Sequence, residues 1–277
     1  MKIIITEHSG FCFGVKRAVN LVYKTLKNTS EPVYSFGPLI HNPQVVAKLE
    51  GMGLKTIKNF DSLEIGKLII RSHGVRPDVI KEAKERGFDI VDATCPFVRK
   101  VQSYARSLKK TGYKVVVLGE PDHPEVLSII GFAGDDSVVV GKEEDVKCTA
   151  FCEKIGIVVQ TTFSFENFQS IVGKLLKKGE ELRIYNTICE ATSVRQNNAI
   201  KVAKGVDVML VVGGKNSANT ARLFHICKKI VKDTYWIETA DEILHKWFLK
   251  RRKVGITAGA STPEWIIQEV VEKLQSH

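Results

Sequence analysis

The chain has 277 residues, 44% of them hydrophobic, enough for a sizeable core in one large domain or two to three small ones, which excludes disorder and fibres. Forty-one lysines and arginines against 31 acidic residues give a net charge of +10, which favours an anionic partner: nucleic acid, a phosphorylated small molecule or an acidic protein. No apolar run reaches the ~20 residues of a membrane-spanning helix, and residues 1–6 read as a strand rather than a signal peptide, so the expectation is a soluble cytoplasmic protein.

Along the chain, short β-branched runs alternate with amphipathic helical stretches, the pattern of parallel sheets with crossover helices. The expected fold class is therefore α/β. A strand is predicted at 2–6, a helix at 15–26, strands at 33–36 and 67–71, a helix at 77–86, a strand at 89–92 and a helix at 98–109. Strands follow at 114–118 and 155–159, a helix at 165–177, strands at 182–185, 207–212 and 253–257, and a helix at 263–274.

One arrangement recurs three times. Cys12 is followed by Gly37 at +25, Cys95 by Gly119 at +24 and Cys189 by Gly213 at +24. A basic helix starts after each cysteine, at Val15-Lys16-Arg17, Val98-Arg99-Lys100 and Val194-Arg195-Gln196. Four residues beyond each glycine stand His41, His123 and Ser217, heading the clusters His41-Asn42-Pro43, His123-Pro124-Glu125 and Ser217-Ala218-Asn219. A later strand in each copy ends at Ser72-His73-Gly74, Gln160-Thr161-Thr162 or Ala260-Ser261-Thr262. This predicts three lobes, 13–94, 95–188 and 189–277, with the N-terminal strand 1–12 packed at the lobe junction. Ligands of open parallel sheets bind outside the carboxyl ends of the strands, where all these polar loops lie, so a pseudo-threefold cavity bringing Cys12, Cys95 and Cys189 together is expected.

Without a secretory signal, the six cysteines point away from disulfides and toward reduced thiols, metal or catalysis. Three convergent thiolates serve a zinc site lacking a ligand, a catalytic zinc site with an open position, or an iron-sulfur cluster with one iron unligated by protein. Zinc sites more often use close-set pairs, whereas these cysteines lie 83 and 94 residues apart, a spacing that favours the cluster. Cys148 and Cys152 read as small hydrophobes near the surface, and Cys227 as core.

The segments Gly10-Phe11-Cys12-Phe13-Gly14-Val15, Asp92-Ala93-Thr94-Cys95-Pro96 and Asn186-Thr187-Ile188-Cys189-Glu190-Ala191-Thr192 resemble the cluster-binding segments of the 4-hydroxy-3-methylbut-2-enyl diphosphate reductase family. His41-Asn42-Pro43, Ser72-His73-Gly74, His123-Pro124-Glu125, Gln160-Thr161-Thr162, the segment Gly213 through Asn219 and Thr257-Ala258-Gly259-Ala260-Ser261 match it too, in order along nearly the whole chain. The resemblance implies three α/β lobes with mainly parallel sheets around a central 4Fe-4S cluster. One cysteine per lobe holds it, the fourth iron stays open, and oxidation leaves 3Fe-4S. It implies the last step of the methylerythritol phosphate route: reductive removal of a hydroxyl to give isopentenyl and dimethylallyl diphosphates, with the hydroxyl oxygen on the open iron. Ferredoxin or flavodoxin is the implied electron donor, and the chain is expected to be monomeric.

By position alone Glu125 fits a helix cap or first-turn carboxylate as well as an acid. The resemblance assigns it proton delivery through Thr161, with His123 beside it. A buried diphosphate suits hydroxyls, amides, imidazole N–H groups and helix N-termini without the cost of burying many lysines. His41, His73, His123, Thr162, Ser217, Ala218, Asn219 and Ser261 form that shell by resemblance, with Ala218 where the family commonly has Ser. Among rivals, a nucleotide-binding oxidoreductase lacks Gly-x-Gly-x-x-Gly and a P-loop, and a nucleic-acid or membrane partner lacks the needed patterns. A zinc-dependent hydrolase of a phosphorylated small molecule, with His73, His123 and the cysteines as ligands, is the alternative.

Overall fold

A strand that is apolar on both faces needs a helix layer on each, and residues 208–212 show this. All five side chains are buried: Val208, Leu210 and Val212 pack with Ile266 and Val270, while Met209 and Val211 point the other way to Ala199 and Leu223. The strand at 114–118 splits likewise, Val116 and Leu118 packing with Ile171, and Val115 and Val117 with Val101 and Ile129.

The computed structural model describes residues 1–276. In chain order it begins with β1 (Lys2–Ile5), α1 (Phe13–Lys27), β2 (Val33–Phe36), α2 (Pro43–Glu50), β3 (Leu54–Ile57), β4 (Lys67–Ile70), α3 (Pro77–Glu85) and β5 (Asp89–Asp92). Next come α4 (Pro96–Lys110), β6 (Lys114–Leu118), α5 (Pro124–Ala133), β7 (Val138–Val140), β8 (Cys152–Val159), α6 (Phe165–Leu175) and β9 (Gly179–Ile184). The last are α7 (Glu190–Ala203), β10 (Val208–Val212), α8 (Ala218–Ile230), β11 (Thr234–Ile237), β12 (Lys253–Ala258) and α9 (Glu264–Gln275). No helix among the described residues is long and apolar enough to cross a membrane.

The strands form three four-stranded sheets, ordered β3-β2-β4-β5, β7-β6-β8-β9 and β11-β10-β12-β1, and every pairing is parallel. The predicted α/β class holds. In each sheet the edge strand is followed by one ending at a matched glycine, one ending in the second polar loop, and a fourth leading to a cysteine. The third sheet fills that fourth place with β1.

The backbone repeats the pattern bond for bond. Gly37, Gly119 and Gly213 donate their N–H groups to Ile57, Val140 and Ile237 at the ends of the edge strands, at 2.8, 3.1 and 2.9 Å. Cys95, Cys189 and Cys12 donate theirs to the carbonyls of Ser72, Thr161 and Ala260 in the second polar loops, at 2.9, 2.8 and 3.0 Å. Gly213 has φ +149°, and a Cβ there would lie 2.7 Å from Thr262 Oγ1, so no side chain fits where β10 turns into its loop.

The chain divides into two compact units. One comprises Met1–Lys16, Ile40–Lys48 and the chain from Glu190 on, and holds the β11-β10-β12-β1 sheet; the other comprises Arg17–Leu39 and Leu49–Cys189 and holds the other two sheets.

Candidate active site

In the unit with two sheets, one network links two of the predicted cysteine loops to the predicted acid. His123 is the N-cap residue of α5: its Nδ1 accepts the Glu125 N–H at 3.1 Å. An acceptor Nδ1 leaves the proton of a neutral imidazole on Nε2, which is then the donor atom of the ring. Glu125 lies in the first turn of α5 and is 2% exposed. Its carboxylate leaves its own helix and meets Thr161, whose N–H donates to Oε1 at 2.6 Å and whose hydroxyl donates to Oε2 at 2.8 Å. Burial pushes this carboxyl up to about 7, aided by the Glu120 charge and opposed by the two Thr161 bonds. Thr161 in turn accepts the Cys189 N–H, so the acid is one residue removed from a cysteine loop.

Around this core, the His73 ring stands edge-on to His123 at 5.5 Å between centroids and 90° between planes. The His73 carbonyl accepts Ser128 Oγ–H at 3.0 Å, and Ser128 accepts Gln102 Nε2–H at 2.9 Å. Arg71 Nε donates to the Gly74 carbonyl at 3.2 Å, fixing the other end of the His73 loop. Gln160 Nε2 donates to Thr162 Oγ1 at 3.0 Å, while Gln160 Oε1 accepts the Glu120 N–H at 2.9 Å. Gly119 allows this: a Cβ there would stand 2.8 Å from Gln160 Oε1.

The other unit gathers a second polar cluster. Ser261 Oγ donates to the His41 carbonyl at 2.9 Å, and a Cβ on Gly214 would lie 2.7 Å from that carbonyl oxygen. Ser217 caps α8, its Oγ accepting the Thr220 N–H at 3.3 Å, so its own proton remains free to donate. Ala218 is the first residue of the helix. Asn219, 5% exposed, has neither side-chain amide atom in a hydrogen bond, and Asn42 Nδ2 is likewise buried without one. Buried amides lacking partners are costly, and here each stands at a helix N-terminus, Asn219 in the first turn of α8 and Asn42 just before α2, a place that suits a polyoxyanion.

Each predicted cysteine ligand is half-buried, reduced, and at the start of a helix: Cys12 before α1, Cys95 as N-cap of α4, Cys189 before α7. Cys12 Sγ accepts the Val15 N–H at 3.5 Å. Helix N-termini favour sulfur bearing negative charge, so the donor set fits a thiolate-ligated metal group. The other cysteines differ. Cys227 is fully buried, its thiol pushed up to about 12 by burial; Cys148 is exposed and Cys152 half-buried against the core of its sheet.

The sequence reading missed Arg71, the Gln102–Ser128 pair and the amide of Asn42. It also took Arg195 only as part of a basic helix, whereas the side chain is buried and donates Nη1–H to the Ala258 carbonyl at 3.1 Å. A cation in the second turn of α7, in an otherwise polar helix start, was the available signal.

Residues 3–275 match the family described as LytB protein. A protein of Pelobacter propionicus named 4-hydroxy-3-methylbut-2-enyl diphosphate reductase is 50% identical over 99% of this chain and 98% of its own length. One of the same name from Geobacter metallireducens is 48% identical over 99% and 97%. A solved structure described as (E)-4-hydroxy-3-methyl-but-2-enyl diphosphate reductase, the terminal enzyme of the non-mevalonate pathway, superposes with TM-score 0.75 at 43% identity over 100% of both chains. The corresponding reductase of Plasmodium falciparum gives TM-score 0.93 at 30% identity over 99% of this chain and 88% of that one.

Proposed function

Because the chain belongs to the LytB protein family, we propose roles for its loops in the reaction that its relatives are named for. The chain is an iron-sulfur oxidoreductase that reduces 4-hydroxy-3-methylbut-2-enyl diphosphate in the terminal step of the non-mevalonate pathway. An allylic C–O bond is broken, the oxygen leaves as water, and two electrons and two protons are taken up.

Cys12, Cys95 and Cys189 would hold a 4Fe-4S cluster with one iron unligated by protein; oxidation would leave 3Fe-4S. When bound, the cluster supplies electrons and a Lewis acid. The remaining chemistry belongs to side chains. A carboxyl with its midpoint near neutrality donates a proton efficiently at physiological pH. When Glu125 is protonated, Oε1 still accepts the Thr161 N–H, while Oε2–H donates to Thr161 Oγ1. The Thr161 hydroxyl is then released to donate to the substrate oxygen, so a proton leaving Thr161 is replaced from Glu125 across a 2.8 Å contact.

The diphosphate is held without lysine. The donors we assign to it are Asn219, the Ser217 and Ser261 hydroxyls, the α8 N-terminus with the Ala218 N–H, His41, His73, His123 Nε2–H and Thr162. A monomer is the working form we assign, with ferredoxin or flavodoxin as the electron donor.

The observation that carries this reading is the Glu125–Thr161 pair, a buried acid midway in its titration at neutral pH and joined to a cysteine loop. In Glu125→Gln the amide oxygen accepts the Thr161 N–H and the amide N–H meets Thr161 Oγ1, so the local fold survives without a transferable proton. Anaerobically prepared wild type and variant should both hold about four irons with sulfide and bind substrate equally. Turnover of the variant should fall ~10²–10⁴-fold. Unchanged turnover removes Glu125 from the proton path, and stoichiometric zinc without iron overturns the metal assignment.

A further inference from the structure

Reduction needs an electron source, and the surface next to Cys95 has the character of a docking site for one. Helix α4 begins at Cys95 and carries Arg99, Lys100, Arg106, Lys109 and Lys110 with no acidic residue; α1, which begins after Cys12, carries four cations and none either. Arg17 of α1 reaches the Cys95 segment, donating Nη1–H to the Thr94 carbonyl at 3.2 Å and Nη2–H to the Asp92 carbonyl at 3.3 Å. The carboxylate of Asp92 is matched by Arg99 at 2.7 Å. Asp92 itself lines a recess of about 290 Å³, together with Thr94, Arg99, Gln102, Arg106 and Phe132. Arg106 lies over the Phe132 ring at 4.7 Å, which fixes its guanidinium while leaving its N–H edge exposed.

Two apolar features complete the face. Phe97, two residues past Cys95, is 45% exposed. Lys100 sits 5.7 Å from the Tyr104 ring, which stacks on Tyr185 at 4.0 Å and 6°, tying α4 to the segment that leads from β9 to Cys189. The result is a cationic surface on the solvent side of α4, with Phe97 at its edge beside Lys100. Charge complementarity of this kind steers encounter.

We infer that the α4 face formed by Arg17, Arg99, Lys100 and Arg106 docks an acidic electron-carrier protein, with a carboxylate of the carrier entering the recess between Arg99 and Arg106. The inference rests on Cys95 being a cluster ligand. The carrier gives one electron per encounter, or two in succession, and is itself oxidised; no bond to the chain is formed. The alternative basic surface, at the N-terminal edge of the β11-β10-β12-β1 sheet around Lys204, Arg252 and Lys253, lies at the opposite strand ends from the cysteine loops, so electrons delivered there would have a sheet to cross.

The test uses anaerobic holoenzyme, a bacterial ferredoxin as the probe and reduced methyl viologen as a small donor that needs no docking. Lys100→Glu with Arg106→Glu should weaken ferredoxin binding, measured by calorimetry at low salt, about tenfold or more. Ferredoxin-driven turnover should fall with it, while viologen-driven turnover and iron content stay at wild-type levels. Lys204→Glu with Arg252→Glu makes the same change in net charge and should leave binding within about twofold. Equal weakening by both pairs, or none by the first, overturns the docking face. Should the first pair lose iron, Lys100→Gln with Arg106→Gln replaces it, with weaker binding again required. Full iron content in Cys95→Ser would instead strike at the ligand assignment, independently of whether ferredoxin binds.

Discussion

At Glu125 two forces oppose each other: burial favours the neutral acid, and two bonds from Thr161 favour the anion. With the folded carboxyl at about 7 against an ordinary 4.5, the native state binds more protons than the unfolded chain between these values. Stability then falls as pH rises across that window and is level above it, by at most on the order of 3 kcal/mol. Urea unfolding of holoenzyme at pH 5 and pH 8 checks this, since Glu125→Gln should gain on the wild type at the higher pH. Parallel curves would mean that burial does not keep the acid protonated. At Ala218 the first residue of α8 lacks a hydroxyl beside the free amide of Asn219. Ala218→Ser should tighten diphosphate binding by ~1 kcal/mol, about fivefold, in a calorimetric titration; equal or weaker binding contradicts the placement of the diphosphate at this helix start.

Elements were legible in the sequence where packing repeats itself. The β-branched runs of β2 and β6 are found at the predicted limits, because strands buried on both faces have little freedom of composition. The edge strands β3, β7 and β11 were not foreseen. Each has only three or four residues, paired on one side, too short to show a period. The cysteines and polar loops were legible because they recur at fixed offsets from glycines. The Gln102–Ser128 link was not: it joins two helices by a contact that neither helix announces. Ser128→Ala leaves a buried Gln102 amide and the His73 carbonyl each short of a partner. A loss of about 1–3 kcal/mol on urea unfolding is expected, with KM for the diphosphate rising as the His73 loop loosens. An unchanged KM would show that the loop is held by Arg71 alone.

For the whole molecule, the charge of +10 and the substrate's negative charge invite a simple equation of the two, which the side chains do not support. The residues assigned to the diphosphate include no lysine or arginine, whereas α1 carries four of these cations and α4 five. Raising ionic strength from ~0.01 to ~0.15 M shortens the Debye length from about 30 to about 8 Å. Carrier-driven turnover should therefore drop steeply with salt, and KM for the diphosphate with methyl viologen should hardly move. A steep salt dependence of that KM would place lysine or arginine in the pocket.

The place of β1 in the third sheet also sets an order of events during synthesis. Thr6, just after β1, hydrogen-bonds Thr257 across 251 residues, and Cys12 is held by the carbonyl of Ala260. At ribosomal speeds of ~5–20 residues per second, the first strand waits roughly 10–50 s for its neighbour to be made. Cys95 and Cys189, by contrast, draw their backbone bonds from Ser72 and Thr161, both translated before them. Cys12 is made first and seated last, so the nascent chain carries an unseated thiol and an unpaired strand edge until β12 and the Ala260 loop have been made.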